Sequence, residues 1–258
     1  MPTTTATGTT VQYSAEGSGP GLVLVAGTGL DARTNFGHLV DAFSGSRTVV
    51  LPDYAGSGET TGPDGPLTLD LLADQVAAAA SDAVDGPVDL LGYSLGALVA
   101  AAAAANHPDL VRRLILVAGW TGPDARHELA MDLWLRLERT DHDLFNRFLQ
   151  LSCFSAPFLS AIGDDGVAGL LDGAPPIRPG MRQHMELDRV ADVRDLLPKI
   201  TAPTLVVGLT RDQVVPVERA HQVHEAIPGS TYAEIDSGHL VVFERPQELV
   251  GAVLEFLD

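Results

Sequence analysis

The chain has 258 residues, 45% of them hydrophobic and 19% charged. That is enough apolar material for one α/β domain with an insertion, or two small domains, and too little charge for a disordered chain. Lysine and arginine number 16 against 34 aspartates and glutamates, a formal net charge of −18; nucleic acid and anionic membrane surfaces, which both need a basic patch, are disfavoured as partners, and a small-molecule substrate is expected instead.

The single cysteine, Cys153, rules out an intramolecular disulfide and a cysteine-built zinc site, and reads as a small buried hydrophobe. The start, Met1-Pro2-Thr3-Thr4-Thr5, lacks the basic and apolar regions of a signal peptide. The longest apolar run, the alanine stretch after Leu98, ends at Asn106 and is too short to cross a bilayer. A cytoplasmic protein is expected.

In chain order, Thr9 to Ala15 reads as a short strand, followed by a turn at Glu16 to Gly21. Leu22 to Ala26 and Thr48 to Leu51 are continuous apolar runs, as in strands buried on both faces. Between them, Asp31 to Phe43 has a helical pattern. Leu67 to Val84 is a long amphipathic helix with Asp70 and Asp74 near its dipole-favoured start. A strand at Val88 to Leu91 leads into an alanine-rich helix, Leu95 to Asn106. Leu114 to Ala118 and Thr204 to Gly208 are further strands; Val217 to Ala226 is a helix, Thr231 to Ile235 a strand and Pro246 to Leu257 a closing helix with proline in its first turn.

Strands alternating with helices predict an α/β fold, a mostly parallel central sheet flanked by helices. Residues 120–199 break the rhythm with helical patterns rich in large apolar side chains and punctuated by Gly and Pro. They read as a helical lid inserted between two strands, over a core made of 1–119 and 200–258. Such an insertion would cover the C-terminal edge of the sheet, where open α/β sheets bind ligands.

Gly92-Tyr93-Ser94-Leu95-Gly96 lies between a strand and a helix. There a Gly-x-Ser-x-Gly turn exposes a strained serine hydroxyl, its glycines permitting close backbone approach, and the helix N-terminus aims N–H groups at a developing anion. Serine needs a base, and the base an orienting carboxylate. Asp212 follows the strand Thr204 to Gly208, and His239 follows Thr231 to Ile235. All three candidates fall at C-terminal strand ends, in the order Ser, Asp, His.

With Asp53-Tyr54-Ala55-Gly56-Ser57-Gly58, the Asn106 to Leu114 passage and the Gly238-His239…Glu244-Arg245-Pro246 closing segment, the chain resembles the α/β-hydrolase superfamily over nearly its whole core. The resemblance implies Ser94, Asp212 and His239 as a catalytic triad. It also implies the backbone N–H groups of Thr28 and Leu95 as an oxyanion hole, with no metal and no organic cofactor. Many relatives carry His-Gly before the oxyanion residue; here Ala26-Gly27 stands, a departure that a backbone N–H contribution survives but that bears on the shape and hydrogen bonding of the loop. The pocket is expected to draw on Gly27, Tyr93, Trp120, Trp134, Phe145, Phe154, Val214 and Leu240, suiting a small, uncharged, moderately hydrophobic carboxylic ester, lactone or thioester.

Two other functions compete. A lyase, elimination or acyl-transfer reaction would use the same site. Gly27-Thr28-Gly29-Leu30-Asp31-Ala32 also fits the dinucleotide-binding pattern G-x-G-x-x-A, with Asp53 near the ribose position. That reading leaves Ser94, Asp212 and His239 unexplained. Asp124 is the substitute acid, Asp236 a second candidate to orient His239, His184 and Met181 candidates for the pocket wall, and His221 with His224 a weak metal pair.

Overall fold

A computed structural model describes residues 1–60, 62 and 65–258. The strands are β1 (Thr3–Ala6), β2 (Thr9–Gly17), β3 (Gly21–Val25), β4 (Thr48–Asp53), β5 (Val88–Tyr93), β6 (Val111–Val117), β7 (Thr204–Leu209) and β8 (Thr231–Ile235). They form one sheet in the order β1-β2-β4-β3-β5-β6-β7-β8. β1 pairs antiparallel with β2 and β2 with β4; every other pairing is parallel. The strand order reverses between β3 and β5, and the C-terminal ends of those strands open the crevice where a ligand can enter.

The helices are α1 (Ala32–Phe36), α2 (Val40–Ser44), α3 (Leu69–Ala83), α4 (Leu95–Asn106), α5 (Ala125–Thr140), α6 (His142–Cys153), α7 (Ala156–Asp172), α8 (Pro179–Asp188), α9 (Val217–Ala226), α10 (Val241–Glu244) and α11 (Pro246–Leu257). Strand alternation sorts the core into two layers. Leu22 and Leu24 of β3 join Phe36, Phe43, Leu249 and Val253 on one face. Val23 and Val25 join Leu72, Val76, Leu98 and Val223 on the other. α4 is apolar all round and buried from Leu95 to Ala104, as a helix enclosed between sheet and neighbours must be.

Two expectations are corrected in detail, and one edge strand is added. The single helix over Asp31 to Phe43 is two short helices joined by a 3-10 turn at Gly37–Leu39. β1 has no apolar run to announce it; its residues, Thr-Thr-Thr-Ala, alternate between exposed and half-buried at the sheet edge. β6 starts three residues before Leu114, because Arg112 and Arg113 interrupt its apolar pattern.

Between β6 and β7 the described chain forms α5 to α8 and no strand. Met131, Trp134, Phe145, Cys153, Met181 and Met185 make a third apolar cluster within these helices. α7 is broken at Gly163, whose φ of 65° no helix accommodates. No helix among the described residues is long and apolar enough to cross a membrane.

Candidate active site

β5 ends at Tyr93 and α4 begins at Leu95, so one residue turns the chain. Ser94 does so at φ 56° and ψ −123°, a conformation that costs of order 1–3 kcal/mol outside glycine. The two glycines explain why the turn closes. A Cβ on Gly92 would stand 2.1 Å from Gly96 O, and one on Gly96 2.2 Å from Val25 O. The elbow therefore packs directly against the end of β3.

Ser94 Oγ lies 3.0 Å from His239 Nε2, and His239 Nδ1 lies 2.6 Å from Asp212 Oδ2. All three side chains are buried. Asp212 Oδ1 accepts from the N–H groups of Val214 and Val215, both at 2.8 Å, which fixes its carboxyl and leaves Oδ2 to His239 Nδ1. The Tyr93 hydroxyl donates to His239 O at 2.7 Å. Glu244 braces the same loop: its carboxyl accepts from Gly238 N, Ser155 N and Ser155 Oγ at 3.2, 2.6 and 2.7 Å. Leu240 N also donates to Cys153 O at 3.1 Å. The junction of α6 and α7 is thus tied to the His239 loop.

Thr28 follows β3 beside the elbow, where a Cβ on Gly27 would stand 3.3 Å from Ser94 Cβ. Leu95 occupies the first position of α4, where an N–H has no acceptor within the helix. The loop holding Thr28 is built without a His-Gly pair. Gly27 N donates to Asn35 Oδ1 at 2.9 Å, the Tyr54 hydroxyl donates to Ala26 O at 2.7 Å, and Ala32 N donates to Asp53 Oδ1 at 2.9 Å. Burial raises the Asp53 carboxyl to about 6, against the pull of the Ala32 N–H.

The brace that sequence reading missed comes from α8. His184 Nδ1 accepts from Gly29 N at 3.1 Å and Nε2 donates to Ala55 O at 2.8 Å. This arrangement requires a neutral ring, and burial lowers the imidazole to about 4. One turn further on, Asp188 Oδ2 accepts from Thr28 Oγ1 at 2.7 Å. His184 and Asp188 stand at i, i+4, so both meet the loop of Thr28 and Gly29 from one helix face; that spacing was the available signal.

Ser94 and His239 open on a cavity of about 450 Å³ with a mainly apolar wall. Gly27, Tyr93, Trp120, Trp134, Phe154, Val214 and Leu240 line it, as does Met181. Phe145 does not. It is fully buried behind Trp134, with ring centroids 6.1 Å apart, so the expectation is corrected: Phe145 supports the wall without reaching the cavity. His184 is likewise no wall residue.

The other candidates are engaged elsewhere. Asp124 caps α5 through His127 N and pairs with Arg219. Asp236 pairs with Arg211 and Thr210 and is exposed. His221 contacts Glu234 and His224 contacts Ser230. Cys153 lines the cavity, and burial pushes its thiol up to about 12, which keeps it protonated.

A model of the alpha/beta hydrolase family matches residues 22–252. The chain belongs to that family. This hydrolase is 42% identical over 250 residues to the pyrrolizixenacetamide deacetylase of Xenorhabdus hominickii, covering 96% of this chain and 94% of the relative. It is 32% identical over 247 residues to a pimeloyl acyl-carrier-protein methyl ester esterase of Neisseria meningitidis serogroup A, covering 91% and 76%. Among solved structures it superposes on MGS-M2, an alpha/beta hydrolase from a Medee basin deep-sea metagenome library, with a TM-score of 0.90 at 18% identity, over 99% and 97% of the two chains.

Proposed function

We propose that this enzyme is a serine hydrolase acting on a small, uncharged, moderately hydrophobic carboxylic ester, lactone or thioester through an acyl-enzyme. The observation that carries the reading is the continuous row Asp212–His239–Ser94 at 2.6 and 3.0 Å, opening on an apolar cavity. Ser94 Oγ attacks the carbonyl carbon as His239 Nε2 takes its proton. Asp212 holds the ring orientation and stabilises its positive charge. The Thr28 and Leu95 N–H groups stabilise the oxyanion, each worth roughly 3 kcal/mol in the transition state. The bond to the leaving group breaks and His239 returns the proton to it; water then attacks the acyl carbon with His239 again as base, the bond to Ser94 Oγ breaks, and Oγ takes the proton back as the acid leaves. Helices α5 to α8 act as the lid.

An acetamide is the second reading, supported by the 42% identity to the pyrrolizixenacetamide deacetylase. The same sequence of steps serves it, with the His239 proton delivered to a departing amine.

Fluorophosphonate labelling with an intact-mass readout tests the nucleophile. One adduct is expected on the native chain and none on Ser94→Ala, together with a p-nitrophenol burst from short esters that both Ser94→Ala and His239→Ala lose. A native chain that takes no adduct, or a Ser94→Ala chain that keeps full activity, overturns the reading.

A further inference from the structure

Asp188 is a buried carboxyl that the proposed chemistry does not use. It lies on the cavity wall, 3% exposed, at the end of α8. Oδ2 accepts from the Thr28 hydroxyl at 2.7 Å, whereas Oδ1 is buried with no hydrogen-bond partner among the described residues. Burying a carboxyl with half its hydrogen-bonding capacity unused is costly.

Two structural explanations fall short. Orienting the Thr28 side chain needs one carboxyl oxygen and leaves Oδ1 unexplained. Helix stabilisation fails as well, because an acid in the last turn opposes the helix dipole. Nor does the cavity supply a counter-charge: no lysine or arginine is found among its described wall residues. Burial pushes the Asp188 carboxyl up to about 7, against the pull of the Thr28 hydroxyl and of His239.

Position says what the free oxygen can meet. Thr28 offers its backbone N–H to the carbonyl oxygen of the substrate, and its side chain holds Asp188. The carboxyl thus stands beside the oxyanion site. We infer that Asp188 binds a hydrogen-bond donor, an N–H or O–H, which the substrate carries within a few bonds of its scissile carbonyl. The inference rests on the reading of Ser94 as nucleophile and deepens it. The preferred substrate is polar at one point in an otherwise apolar body, since a site built to hydrogen-bond a donor discriminates against the analogue without it.

The test compares the native chain with Asp188→Asn at pH 8, where the Asp188 carboxyl is ionised, on two matched pairs. In the first, p-nitrophenyl 3-hydroxybutyrate is set against p-nitrophenyl 3-methoxybutyrate, placing the donor on the acyl side. In the second, 2-hydroxyethyl butyrate is set against 2-methoxyethyl butyrate, placing it on the leaving side. The native chain should prefer the hydroxyl member of one pair by roughly 10- to 100-fold in kcat/KM. Asp188→Asn should shrink that preference several-fold, because a neutral amide oxygen accepts less strongly than a carboxylate, whatever its effect on each rate alone. The pair that responds locates the donor. Fluorophosphonate labelling of Asp188→Asn at Ser94 checks that the variant is folded. A native chain with no preference in either pair, or a preference unchanged in Asp188→Asn, overturns the inference while leaving the serine reading intact. A native chain that fails to label at Ser94 overturns the serine reading instead.

Discussion

At the scale of single residues, the site is set by groups the backbone cannot do without. Gly96 is the sharpest case, because a methyl there would stand 2.2 Å from Val25 O and 2.4 Å from Ala26 O. Neither carbonyl can yield without moving the chain that leads into Thr28. Gly96→Ala should cost about 1–3 kcal/mol in urea unfolding, as overpacking does. It should also slow p-nitrophenol release more than the loss of stability accounts for. Asp188 gives a prediction of opposite sign. Its carboxyl is raised from 3.8 to about 7 in the fold. Between those values the folded state binds the extra proton, so stability is fully present below the unfolded value and falls as pH rises through the folded one. Asp188→Asn removes that loss. It should be more stable than the native chain at pH 8, by at most roughly 4 kcal/mol at 1.36 kcal/mol per unit. The advantage should shrink towards pH 4, and thermal melts at the two pH values measure it. A chain stabilised by losing a cavity carboxyl is what a residue kept for function predicts.

At the scale of elements, legibility followed burial. Of the strands buried on both faces, β3, β4 and β7 write themselves as apolar runs, and β5 does so apart from Asp89. β1 lies at an exposed edge and needs no such run. The broken helix after Thr28 was misread because Ala32, Phe36, Leu39, Val40 and Phe43 all point inward, so the apolar period survives the 3-10 turn at Gly37 that resets the axis. Ser94, Asp212 and His239 were visible because strand ends locate them. The groups that brace the surrounding loops were not: Asn35, Tyr54 and His184 hold the loop from Ala26 to Gly29 and Glu244 holds the His239 loop, and no motif links them to their partners. His184 is the testable one. His184→Ala strands Gly29 N and Ala55 O, and each buried group left unpaired costs about 1–3 kcal/mol. The melting temperature should fall, and kcat should fall with it more than KM rises, since the loop proposed to receive the oxyanion loses its support.

At the scale of the whole molecule, the two ends of β5 do different work. Ser94 follows its C-terminal end. At the other end Asp89, fully buried, accepts from Arg47 and Arg112. Arg47 and Arg113 also donate to Leu257 O, fastening the last helix. Asp89→Ala leaves buried guanidinium unpaired and should cost about 3–5 kcal/mol, the usual penalty for breaking a buried pair from one side. Equilibrium unfolding reads this directly, and fluorophosphonate labelling below the transition should persist.

His184 joins these scales. One imidazole carries the Gly29 N–H on one nitrogen and the Ala55 carbonyl on the other, yet it belongs to a helix of the insertion between β6 and β7. Any excursion of α8 away from the sheet withdraws the ring, and Asp188 with it. The loop of Thr28 and Gly29 then loses its prop. With α5 to α8 as the proposed lid, the proposed oxyanion site would be complete only while α8 is seated on the sheet.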